Sequence, residues 1–151
     1  MVSSLKKRAL CVEHNESTCV VITEALSAQG YDVVVARSVF EGWDKARAEH
    51  FDLYLLGLRF HVGSGLVLCR RIREIEAHAP IIMISSASPR YFKRLAERAG
   101  AQTFLSMPVD ARVLIETVAR LAGDVRHQDA EQDLKKSVVS KHGMGKKAGK
   151  T

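Results

Sequence analysis

Four places in this chain gather side chains with usable chemistry, and each closes a short apolar run. Ala9-Leu10-Cys11-Val12 ends at Glu13 and His14, Phe51 to Leu56 at Gly57, Pro80 to Ile84 at Ser85 and Ser86, and Thr103-Phe104-Leu105 at Ser106-Met107-Pro108. A carboxylate beside an imidazole suits metal ligation, so Glu13, His14 and the downstream His61 form a candidate zinc set. Against that set, lone histidines on loops mostly face solvent. Ser85 with His14 raises hydrolysis, but the chain shows no nucleophile elbow and no identifiable oxyanion hole. Gly57 is the odd member: a side chain of one hydrogen offers no carboxylate and can neither attack an electrophile nor ligate a metal.

These positions share one site only if the runs are parallel strands. Signals of strand and helix alternate five times. After the first run, Thr18 to Ala28 carries helical spacing through Val21, Ile22, Ala25 and Leu26 until Gly30 stops it. Tyr31 to Ala36 reads as a second strand, and Ser38-Val39-Phe40-Glu41 has the spacing of a capping box opening a helix to about Glu49. A helix over Leu66 to Glu76 follows the third strand. Pro89 suits a first helical turn, Gly100 a helix end, and Asp110 caps a last helix expected to reach Leu121, with Gly123 closing the domain. Continuous apolar strands separated by amphipathic helices imply a parallel sheet covered on both faces, a three-layer α/β/α arrangement. In a doubly wound sheet the working site lies outside the carboxyl ends of the strands, where these residues fall.

Composition allows one core. The 151 residues are 46% hydrophobic and 26% charged, enough for a sizeable domain and hardly for two. Cys11, Cys19 and Cys69 are odd in number and lack metal-type spacing, which reads as buried reduced thiols. No apolar run approaches a membrane span or a secretion signal, so a cytoplasmic protein without membrane contact is expected. The net charge of +6 is uneven: residues 124–151 hold seven Lys and Arg against four Asp and Glu, and from Leu134 onward there are six lysines and no acid. A Lys-, Gly- and Ser-rich stretch buries too little apolar area to offset the entropy of ordering. The expected organisation is an arm over residues 1–7, a domain over 8–123 and a disordered basic tail over 124–151.

Over roughly Arg8 to Ala122 the chain resembles the receiver domain of bacterial response regulators in two-component systems. The resemblance rests on the order and spacing of the Gly30-Tyr31-Asp32-Val33-Val34 turn, the Gly63-Ser64-Gly65 loop, the Ala96-Glu97-Arg98-Ala99-Gly100-Ala101 helix end and Leu105-Ser106-Met107-Pro108. It implies a flavodoxin-like, doubly wound, five-stranded sheet of order 2-1-3-4-5 and a cis bond before Pro108. It also implies a phosphoacceptor aspartate at the end of the third strand, acids at the end of the first that help hold magnesium, and a lysine before the proline. Here those positions hold Gly57, Glu13 with His14, and Met107. A single carboxylate is a poor home for magnesium, which demands octahedral oxygen ligation, so the expected cofactor is none.

Ser85 and Phe104 match the hydroxyl and the ring that form the family's switch. The simpler reading makes Ser85 a partner for nearby backbone and Phe104 ordinary core.

The function expected from these residues is a stand-alone pseudo-receiver, not an enzyme, signalling through protein contacts without aspartyl phosphorylation. The partner would be a histidine kinase or another regulator, and Arg90, Tyr91, Lys93, Arg94, Arg98 and Arg112 are the candidate contact residues. A homodimer through the face of the fourth helix, fifth strand and fifth helix is a further use of that surface. The alternative is a nucleic-acid or polyanion binder acting through its lysines.

Overall fold

The computed structural model describes residues 6–144. Apolar runs and amphipathic segments become ten alternating elements: β1 (Lys7–Val12), α1 (Glu16–Ala28), β2 (Tyr31–Ala36), α2 (Val39–Ala48), β3 (Leu53–Gly57), α3 (Gly65–Ile75), β4 (Ile81–Ser85), α4 (Pro89–Ala99), β5 (Thr103–Ser106) and α5 (Ala111–Met144). The sheet is parallel, in the order β2-β1-β3-β4-β5. The expected flavodoxin-like topology is therefore the observed one.

Strand alternation divides the core between the two faces of the sheet. Leu10, Val12, Leu56 and Met83 point with Leu68 and Ile72 of α3 to one side, while Ala9, Cys11, Leu55, Ile82 and Ile84 meet Ile22, Leu26, Leu114 and Val118 of α1 and α5 on the other. β3 and β4 are buried throughout, which is why they read as unbroken apolar runs. The helix ends follow their signals. Ser38 accepts from Glu41 N–H at 3.1 Å, Asp110 from Val113 N–H at 3.1 Å, and Gly100 ends α4 with φ of 109°. Arg73 ties α3 to the start of β4 and the end of α4, donating to the carbonyls of Ala79 at 2.8 Å and Gly100 at 2.7 Å.

Two boundaries differ from expectation. Lys7, placed in the arm, opens β1 opposite Tyr31; residues 1–5 of the arm lie outside the described residues. The larger correction concerns the tail. α5 passes through Gly123 and runs to Met144, so residues 124–144 are helical rather than disordered. A helix-interior glycine costs only about 1 kcal/mol against alanine, and no proline follows Pro108 to halt the helix. Glu131 four residues before Lys135 adds a favourable helical pair. Residues 145–151 of the expected tail lie outside the described residues.

The extension adds little to the core: only Val125 among the described side chains from Asp124 to Val139 is half-buried, the rest being exposed. Removing residues 124–151 is expected to shift the thermal midpoint, measured at sub-micromolar concentration, by less than about 5 °C. A larger fall would show that the extension braces the domain.

Candidate functional site

β1 delivers Glu13 to the rim of the sheet, where its backbone N–H donates to Ala36 at 3.0 Å and its side chain is 2% exposed. Its Oε1 accepts from Asn15 N–H at 3.0 Å. Asn15 in turn caps α1, its Oδ1 accepting from Thr18 N–H at 3.0 Å and from the Thr18 hydroxyl at 3.2 Å. His14 is half exposed, with Nε2 3.8 Å from Glu13 Oε1, beyond hydrogen-bond length.

Gly57 ends β3 beside this carboxylate. A Cβ built there would fall on Glu13 Oε2, with Glu13 Cδ at 3.1 Å and the Val12 carbonyl oxygen at 3.3 Å. The Glu13 carboxylate thus occupies the space that a side chain at position 57 would use. Gly65 is confined from the other direction: a Cβ there would collide with the Gly57 carbonyl oxygen, because the first turn of α3 lies against the end of β3.

The far wall comes from β4 and β5. Ser85 is buried, its Oγ accepting from Ala87 N–H at 3.0 Å, and its carbonyl accepts from Met107 N–H at 2.9 Å. The Ser85 hydroxyl is thus engaged by nearby backbone. The Met107–Pro108 bond is cis, as the resemblance implies. Met107 Sδ lies 4.0 Å from the Thr18 hydroxyl, and Phe104 packs, partly buried, on the core between the sheet and α3–α4.

Glu13, His14, Arg59, Ser85 and Met107 line a pocket of about 150 Å³. Its charged groups are one carboxylate and the Arg59 guanidinium, whose Cζ sits 5.4 Å from the Phe92 ring centroid. His61 approaches His14 to 6.2 Å between ring centroids, with Phe60 at 5.8 Å. Even so, no group of three His, Cys, Asp or Glu among the described residues is placed to hold a metal ion. A larger hollow, about 490 Å³, lies at the opposite end of the sheet between Lys7, Gln29 and α5, away from these groups.

Of the expected residues, Glu13, His14, Ser85, Ser86 and Met107 therefore line the pocket, and Gly57 lies beside it against Glu13. Asn15 and Arg59 were not anticipated. Asn15 was legible as an N-cap three residues before Thr18, whereas nothing local marks Arg59. Arg90, Tyr91, Lys93, Arg94 and Arg98 are all exposed along α4, Tyr91 by 71%, and Arg112 is exposed at the start of α5. The three cysteines are buried and unpaired. A hydrogen bond between Cys11 and Cys19 raises the first thiol and lowers the second to about 7, and burial pushes Cys69 up to about 11.

Residues 9–119 match the response regulator receiver domain, and the chain belongs to that family of signalling domains. The polar-differentiation response regulator DivK of Brucella ovis is 27% identical over 122 residues, covering 80% of this chain and 99% of that one. The alkaline phosphatase synthesis transcriptional regulatory protein PhoP of Bacillus subtilis is 27% identical over 125 residues, 83% of this chain, which spans about half of that protein. Among solved structures, a receiver domain protein from Methanospirillum hungatei superposes with a TM-score of 0.75 at 24% identity, over 84% of this chain and 99% of the other. That likeness shows the fold. No helix among the described residues is long and apolar enough to cross a membrane.

Proposed function

We propose that this receiver domain signals through protein contacts without aspartyl phosphorylation or magnesium. The observation that supports this most is Glu13 folded over Gly57: the acceptor carboxylate is missing and a buried side chain fills its place. Phosphoryl transfer to a receiver needs a nucleophile and cationic neutralisation of the transferring oxygens. Gly57 supplies no nucleophile. Met107 supplies no cation, and a lone carboxylate already bonded to Asn15 N–H is a poor magnesium ligand.

The replacements are consistent with one another. A lysine at 107 would face a cleft with one carboxylate fewer, whereas methionine fills that space as an adaptable apolar group beside Thr18. Ser85, engaged by Ala87, and Phe104 keep the chemical types of the switch without a phosphoryl group to bias them. The default is one fixed conformation.

Partner recognition is assigned to the face of α4, β5 and α5, where Arg90, Tyr91, Lys93, Arg94, Arg98 and Arg112 present positive charge around an exposed ring. Such a face suits an acidic surface on a histidine kinase or another regulator, and it is also the candidate face for contact between copies. Polyanion binding through lysines from Leu134 onward rests on charge alone, and no observation favours it.

The test is capture of partners from the native cell by the full chain and by an Arg90→Glu, Lys93→Glu, Arg94→Glu variant. Loss of the captured protein by about tenfold or more in the variant, with no dependence on phosphodonor or chelator, is expected. Capture that requires a phosphodonor, or that ignores the charge reversal, overturns the reading.

A further inference from the structure

The extension of α5 poses a physical problem that the domain does not solve. Residues 124–144 span about 30 Å of helix at 1.5 Å per residue, and every side chain from His127 to Val139 is exposed. Most helical stability in proteins comes from packing an apolar face, and short isolated helices are marginal in water. The side turned toward the domain does not supply such packing. Gln128, Glu131, Gln132 and Lys135 look across an open hollow of about 420 Å³ toward Ala77, His78 and Gln102.

A neighbouring strip of the same helix is apolar. At 100° per residue, Ala130, Leu134 and Val138 fall within roughly 80° of arc. Leu134 is 66% exposed and Val138 55%. Charge is ordered along the axis as well: Asp129, Glu131 and Asp133 precede Leu134, and Lys135 and Lys136 follow it.

We propose that residues 124–144 pair antiparallel with the same segment of a second copy, crossing at Leu134. That register sets Leu134 against its counterpart and Val138 over the small Ala130. It brings Glu131, on the border of the strip, within a turn of Lys135 of the other chain, twice by symmetry. A parallel pairing offers no such contact, since it sets the Glu131 and Lys135 flanks of the two chains on opposite sides of the seam. An isologous contact of this kind closes on itself, as symmetric dimers require. The seam is separate from the α4, β5 and α5 face, which it leaves open to a different protein.

The experiment follows the oligomeric state of the full chain by sedimentation and native mass spectrometry across the micromolar range. The unaltered protein is expected to dimerise, and Leu134→Lys to weaken the dimer at least about tenfold. Glu131→Lys and Lys135→Glu should each weaken it when alone, yet form a mixed dimer when the two variants are combined. Only contact between chains produces that rescue, since an ion pair within one helix is broken in both variants. A protein that stays monomeric throughout overturns the proposal. So does a dimer indifferent to Leu134→Lys, which would place the contact on another face, or a mixture that fails to pair.

Discussion

Incubation with acetyl phosphate and magnesium is expected to leave the intact mass of the protein unchanged, because Gly57 offers no acceptor and the Glu13 carboxylate lying over it is buried, bonded to Asn15 N–H and without a lysine at 107. An acid-labile aspartyl phosphate on any residue would sink the proposed mode of signalling. The structure also defines what repair requires. Gly57→Asp brings a Cβ onto Glu13 Oε2; the end of that side chain can move, but the move leaves two carboxylates crowded in a site with no lysine at 107. The single variant is expected to lose about 1–3 kcal/mol of stability and to gain little phosphorylation. Adding His14→Asp and Met107→Lys supplies a second acid for the metal and a cation for the phosphoryl oxygens, so the triple variant should recover measurable, magnesium-dependent labelling. Equal labelling of the single and triple variants would show that His14 and Met107 do not matter.

The same chemical change at two glycines should have effects of opposite sign. Gly65→Ala drives a methyl into the backbone carbonyl of Gly57, and backbone cannot swing aside as a side-chain tip can. A loss of about 3 kcal/mol or more is expected, since the first turn of α3 must retreat from the sheet. Gly123→Ala meets no atom within 4 Å and sits inside α5, so it should stabilise by about 0.5–1 kcal/mol through helix propensity. Paired denaturant titrations decide both. A tolerated alanine at 65 would mean that α3 can shift without cost.

The fold was legible because its local signals agree. β3 and β4 are apolar along their whole length since both faces are covered, and Ser38, Asp110 and Gly100 mark helix ends by chemistry that holds in isolation. The end of α5 was not legible by the same rules. Gly123 and the lysines beyond it read as a stop, yet one glycine is a small penalty and the following residues contain no proline. At the site, the positions of Glu13, His14, Gly57, Ser85 and Met107 followed from topology. Where the Glu13 carboxylate points did not, because it is fixed by the room left at Gly57 from another strand and by Asn15 N–H. Thr18 and Met107 lie 89 residues apart, and Arg59 meets Phe92 of α4 with α3 and β4 between them in the chain, so sequence neighbourhood carries no trace of either contact.

Glu13 lying over Gly57 also changes how such a protein keeps time. An acyl phosphate is a clock: its hydrolysis sets how long a message lasts. Under the proposed phosphorylation-independent signalling, a receiver whose acceptor position is filled by a permanent side chain has no such interval, and the duration of its message would be the lifetime of the polypeptide. Its output then follows synthesis, degradation and dilution by growth, and a cell would end the signal by removing the protein.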